Sequence, residues 1–136
     1  YFADTAVVVV NPEVSSVRDS DRIIGLLQSK TRRAENGERV NEHLLLTRYS
    51  PSRVETGEML SIGDVEEVLG LKTIGVIPES SDVLNASNKG EPVILDMESN
   101  AGQAYDDAVA RILGESRPMR FTHAEKKGFF SKLFGG

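Results

Sequence analysis

Apolar residues recur along this chain with two alternating periods. Short runs with little polar interruption, TAVVVV (5–10), HLLLTRY (43–49) and KTIGVI (72–77), are rich in β-branched and aliphatic side chains. They predict strands of a parallel sheet covered on both faces. Between them the period lengthens to that of a helix. Asn11 and Pro12 pair an N-cap residue with a proline at the first helical position. They predict a helix to about Arg33, with Val14, Val17, Ile24 and Leu27 at helical spacing, stopped by Glu35-Asn36-Gly37-Glu38. A loop covers 50–60. Ser61 and Asp64 form a capping-box pair opening a short helix that ends near Gly70. Pro78 stops the third strand, a short helix is expected over 80–87, and Gly90 and Pro92 mark a turn. A last helix is expected from Asn100 to Leu113, closed by Gly114, with Ala104, Tyr105, Ala108, Val109, Ile112 and Leu113 on one face.

Strands alternating with helices define an α/β chain of parallel β-α-β units with right-handed crossovers. Three strands are few, since doubly wound domains commonly have about five or more. The first strand also lies almost at Tyr1-Phe2, with nothing ahead of it to cover it. The expectation is therefore the C-terminal half of a larger α/β domain: residues 1–115 as the half-domain, 116–124 as a flexible linker and 125–136 as a separate amphipathic helix.

The 136 residues, 39% hydrophobic and 27% charged, suit one ordinary domain. No apolar run approaches the ~20 residues of a spanning helix. Cysteine is absent, which removes disulfides and thiolate metal sites and is compatible with a reducing cytoplasm. His43 and His123 stand far apart, so no metal site is expected. No glycine is followed by lysine, so the phosphate-loop signature G-x-x-x-x-G-K-[ST] is missing; G-x-G-x-x-G and G-x-S-x-G are missing too. The carboxylate pairs Asp19/Asp21, Glu66/Glu67 and Asp106/Asp107 read as solvated helix faces. No catalytic residue is assigned.

Charge changes the picture at the C-terminus. Residues 1–116 hold 11 basic and 20 acidic side chains, a net −9, whereas 117–136 hold 5 basic and 1 acidic, a net +4. The terminal KKGFFSKLFGG sets Phe129, Phe130, Leu133 and Phe134 beside Lys126, Lys127 and Lys132. On a helix the four apolar residues span an arc of about 140°. A short oily stripe with a basic rim fits an anionic membrane surface. Four buried side chains at ~1.5–3 kcal/mol each give roughly 6–12 kcal/mol, largely offset by the cost of ordering the helix. One such tail binds weakly; two on a dimer bind firmly. A protein dock for the same stripe, on an otherwise non-enzymatic α/β scaffold, is the competing reading. The acidic body argues against a nucleic-acid partner.

In an open parallel sheet, ligands bind at the carboxyl ends of the strands. Those ends are Asn11-Pro12-Glu13, Thr47-Arg48-Tyr49 and Pro78-Glu79. Thr47 and Arg48 suit a base or sugar by hydrogen bonding and stacking, and Pro78 suits a flat ring.

Together NPEVSSVRDSDRIIGLL (11–27), HLLLTRYSPSRV (43–54), IGVIPES (74–80), ASNKGEPVI (86–94) and EKKGFFSKLFGG (125–136) resemble the C-terminal half of the MinD family. These are bacterial septum-site-determining ATPases of the deviant phosphate-loop class, and the resemblance covers essentially the whole chain. It implies an ATP-dependent homodimer with a mostly parallel sheet. It implies a tail that binds the cytoplasmic face of the inner membrane, with Phe129, Phe130, Leu133 and Phe134 inserted and Lys126, Lys127 and Lys132 at the head groups. It further implies recruitment of the division inhibitor MinC and release by MinE, so that the septum is confined to mid-cell. Thr47, Arg48, Pro78 and Glu79 match the strand ends around adenine. Ser16, Asp19 and Asp21, with Glu13 close by, match the dimer and partner surface. The family's phosphate loop, signature lysine and magnesium ligands have no counterpart here, so this chain by itself is expected not to hydrolyse ATP.

Overall fold

The computed structural model describes residues 1–123. Strands β1 (Thr5–Val10), β2 (Asn41–Tyr49) and β3 (Thr73–Pro78) form one parallel sheet in the order β1-β2-β3. Helices α1 (Val14–Ser29), α2 (Arg32–Glu35), α3 (Pro51–Glu55), α4 (Ile62–Leu69), α5 (Ser81–Lys89) and α6 (Asn100–Ile112) connect and cover it, with a 3₁₀ turn at Val93–Leu95.

Local chemistry explains most boundaries. Ser61 Oγ accepts from the Asp64 amide at 3.1 Å while Asp64 Oδ2 accepts from the Ser61 amide at 3.0 Å, and α4 ends at Gly70 with φ 64°. At α1 the outcome departs from the expected cap. The helix begins at Val14, and Glu13 occupies the cap position with no side-chain cap bond. A tight turn, in which the Glu13 amide donates to Asn11 O at 2.7 Å, holds Asn11 outside the helix. The long helix expected to Arg33 is broken after Ser29: Thr31 Oγ1 bonds back to Leu27 O at 3.0 Å, then caps α2 by accepting from the Ala34 amide. The expected 50–60 loop contains the short α3, opened by Pro51.

The sheet sorts its side chains by parity. Val8, Val10, Leu44 and Leu46 face α1 and α4, joining Val17, Ile24, Val65 and Leu69 in the main core. Leu45 and Ile77 belong to a second apolar cluster with Val93, Ala101 and Ala104 on the α6 side. β1 is not covered on both faces as its unbroken apolar run predicts, since Val7 and Val9 remain 39% and 57% exposed. α6 buries only part of the expected stripe, Ala104 and Ala108. Ala101, Ala104, Ala108 and Ala110 are buried, whereas Val109 and Ile112 are each 44% exposed and Leu113 is 75% exposed. The reason is close approach: a Cβ on Gly75 of β3 would lie 2.6 Å from Ala108 Cβ, so only small residues fit between helix and strand. Asp107, expected on a solvated face, is buried.

Candidate functional site

The carboxyl ends of the three strands converge. Between Leu46 and Tyr49 two β2 residues, Thr47 and Arg48, stand against the single Ile77 of β3, a β-bulge. Arg48 takes φ 55°, the left-handed region that glycine prefers. A non-glycine residue held there costs on the order of 1 kcal/mol and points to a functional constraint. Thr47 Oγ1 donates to Asn11 Oδ1 at 2.9 Å, tying β2 to the end of β1. The Asn11 amide in turn donates to Ser16 Oγ at 3.3 Å. Across the gap Arg48 Nη2 stands 3.5 Å from Glu79 Oε1, and the Glu79 amide donates to Tyr49 O at 2.9 Å. Burial raises the Tyr49 phenol above its ordinary value, which keeps it neutral.

These residues rim an open cavity of about 660 Å³ at the strand ends. Thr47, Arg48, Pro78 and Glu79 all line it, so the four expected ligand contacts are adjacent. Its apolar walls come from Val9, Ile77, Val83, Leu84 and Tyr105. Tyr105 and Leu84 carry no local signal in the sequence; α6 and α5 bring them in. A largely apolar slot rimmed by hydroxyls, among them Thr47, Ser80 and Ser81, with the Arg48 guanidinium and the Glu79 carboxylate, suits a planar heterocycle and its sugar. No lysine lines it, so the slot has no primary ammonium to hold a phosphate.

The expected partner surface is only partly assembled. Glu13, Ser16 and Asp19 line a shallow cleft of about 860 Å³ along the outer edge of β1, together with Val7 and Ile23. Asp21, two residues on and therefore roughly 200° around α1, does not line it. Glu13 stands 3.9 Å from Arg53. Lys126, Lys127, Phe129, Phe130, Lys132, Leu133 and Phe134 lie outside the described residues. No helix among the described residues is long and apolar enough to cross a membrane.

A three-stranded parallel sheet flanked by helices, with a cavity at its carboxyl ends, defines the class: an α/β fold of parallel β-α-β units. No protein-family model matches the chain. Its curated relatives are septum site-determining MinD proteins. The MinD of Escherichia coli K12 is 65% identical over 137 residues, an alignment that takes in 100% of this chain and 51% of that protein. The chain thus spans about half the length of the curated relatives it matches. Among solved structures, the Aquifex aeolicus MinD cell division protein superposes with a TM-score of 0.78 at 42% identity, over 87% of this chain and 47% of that one. The MinC:MinD cell division protein complex of the same organism gives 0.76 at 43%, over 85% and 45%. A Pyrococcus horikoshii MinD complexed with Mg-ADP shares the fold, with a TM-score of 0.65 at 20% identity over 80% and 41%. The chain matches MinD in sequence along its full length, and in fold, consistent with the C-terminal half of that protein.

Proposed function

We propose that the chain is the C-terminal half of a MinD-like cell-division-site ATPase. It supplies the base-binding wall of a nucleotide site and a membrane-binding C-terminal helix. The observation carrying this reading is the Thr47–Arg48 bulge with Arg48 at φ 55°, set opposite Pro78 and Glu79 on a cavity at the strand ends. A strained, bulged strand end is a feature built to present side chains. Thr47 and Glu79 offer hydrogen bonds to the base or sugar, Arg48 and Pro78 offer flat packing, and Tyr105 closes the floor. ATP and magnesium, when bound by the complete protein, would supply the phosphoryl group and its charge neutralisation; this chain would hold only the base and sugar, since it carries no phosphate loop. This half alone does not hydrolyse ATP.

Support for the cellular role comes from relatives. The 65% identity to a septum site-determining protein and the likeness to a MinD solved with MinC favour the division inhibitor as partner. Dimerisation with ATP then pairs two weak amphipathic tails, and MinE-stimulated hydrolysis releases them from the inner membrane. The test uses the complete protein. With ATP it is expected to co-sediment with vesicles containing phosphatidylglycerol, and with ADP far less. Phe130→Glu is expected to abolish the ATP-dependent fraction. A Phe130→Glu protein that sediments as well as its parent overturns the membrane reading.

A further inference from the structure

The stretch expected to be a linker reaches back onto α6. Arg117 Nη1 donates to Asp106 Oδ2 at 2.6 Å and to Asp107 Oδ1 at 3.3 Å. Arg120 Nε donates to Asp107 Oδ2 at 2.7 Å, and its Nη1 donates to Gln103 Oε1 at 2.7 Å. From α6 itself, Arg111 donates to three backbone carbonyls: Ile74 O at 3.0 Å, Arg117 O at 3.0 Å and Pro118 O at 2.6 Å. The Asp107 side chain is only 7% exposed, so its charge depends on these partners. Phe121 adds a second fixture. It takes φ 60° and packs against the cluster of Ile77, Val93 and Ala104. The left-handed backbone costs on the order of 1 kcal/mol, which aromatic burial offsets.

The direction of this clasp is informative. Arg111 reaches the amino end of β3 at Ile74, Ala108 faces Gly75, and Ala104 shares a cluster with Ile77, so α6 runs antiparallel to β3. The contacts of Arg117 with Asp106 and Asp107, then of Arg120 with Gln103, retrace α6 toward its start. Phe121 joins Tyr105 and Val83 in one cluster, and both of those line the strand-end cavity. The chain is therefore handed on at the nucleotide end of the sheet, not at the end where α6 stops.

We propose that the Asp107–Arg117–Arg120 clasp is a positioning device for the C-terminal membrane-binding segment, delivering it on a short tether at the nucleotide end of the sheet. The proposal rests on the membrane reading of residues 125–136. Opening the clasp frees residues 117–123, adding up to roughly 25 Å of slack. Slack lowers the effective concentration of the second tail once the first has bound. The clasp thus acts on avidity rather than on either tail's own affinity.

Asp107→Asn separates geometry from charge. It removes the shared carboxylate yet makes the protein more positive, so simple electrostatics predicts tighter binding to anionic vesicles. In the complete ATP-loaded protein, Asp107→Asn is expected to lose the protection of 116–121 against proteolysis, read as faster chymotrypsin cleavage after Phe121, which the clasp holds in the second apolar cluster. Binding to phosphatidylglycerol vesicles is expected to fall about threefold to tenfold through lost avidity. Arg120→Gln, at an exposed arginine, is expected to do the same and carries the test if Asp107→Asn does not fold. Unchanged vesicle binding by a folded variant with an exposed 116–121 overturns the proposal, and so does retained protection. Phe130→Glu run alongside keeps the two readings apart. It should abolish binding with 116–121 still protected; if it binds like the parent, the membrane reading fails instead.

Discussion

The hydroxyl of Thr47 donates to the side-chain oxygen of Asn11 at 2.9 Å, joining the ends of β2 and β1 across 36 residues of sequence. Asn11 is thereby diverted from capping α1 and becomes a brace for the rim of the strand-end cavity.

That brace has a measurable coupling. Thr47→Val and Asn11→Ala are each expected to destabilise by about 0.5–1.5 kcal/mol in urea unfolding. The double variant is expected to cost less than the sum, because the second change removes a group already unpartnered. Strict additivity would show that the bond contributes nothing.

Arg48 separates stability from binding. Arg48→Gly relieves the φ 55° backbone, so the urea midpoint is expected to rise by the equivalent of about 1 kcal/mol or less. Affinity of the complete protein for a fluorescent ATP analogue is expected to fall about threefold to thirtyfold, through loss of the guanidinium's stacking. A variant both less stable and equally tight in binding would contradict the assignment of the bulge to the nucleotide site.

The close approach of α6 to the 3₁₀ turn can be probed with a glycine, and an open glycine on α1 serves as the contrast. Gly102→Ala places a Cβ 2.1 Å from Asp96 O and 2.6 Å from Val93 O, against backbone that cannot yield. It is expected to cost about 3 kcal/mol or prevent folding. Gly25→Ala, on α1 with nothing within 4 Å of the new methyl, is expected to stabilise by up to about 1 kcal/mol. Circular dichroism melts of both variants check the contrast.

Acid titration should expose the clasp. Burial by itself would raise the Asp107 carboxyl, but hydrogen bonds from Arg120 and Arg117 outweigh it and leave its pKa below the ordinary value. A carboxylate depressed on folding stabilises above its unfolded pKa of about 3.9 and loses that contribution as pH falls through the folded value. Stability of the parent is expected to drop from about pH 5 downward. Asp107→Asn should be less stable at neutral pH and show a shallower acid limb in urea midpoints. An identical acid limb in the two proteins would exclude Asp107 as a contributor.

The legible part of the molecule was local. TAVVVV, HLLLTRY and KTIGVI became strands because β-branched and aliphatic runs suit a sheet interior. Ser61 with Asp64, and Gly70 after them, bounded α4 through bonds closed within a few residues. Thr47, Arg48, Pro78 and Glu79 share one cavity because each lies at a strand's carboxyl end, which is recognisable from its own residues. Tyr105 was not found, because nothing near it in the chain says which cavity α6 will floor. The apolar stripe of α6 misled only at its end: Val109, Ile112 and Leu113 have the right spacing, but the close approach of Ala108 to Gly75 sets which face of the helix meets the strand.

The sequence by itself therefore determined the three strands, their alternation with helices, the caps of α4 and the basic, oily character of the C-terminus. All of these follow from neighbours within about one helical turn or one strand. Only the tertiary structure decided that Asn11 braces Thr47, that Arg48 is bent into a bulge, and that Asp107 is a buried partner for Arg117 and Arg120. Each of those depends on which residues distant strands and helices bring within hydrogen-bond reach, a choice settled by packing rather than by any short stretch of chain.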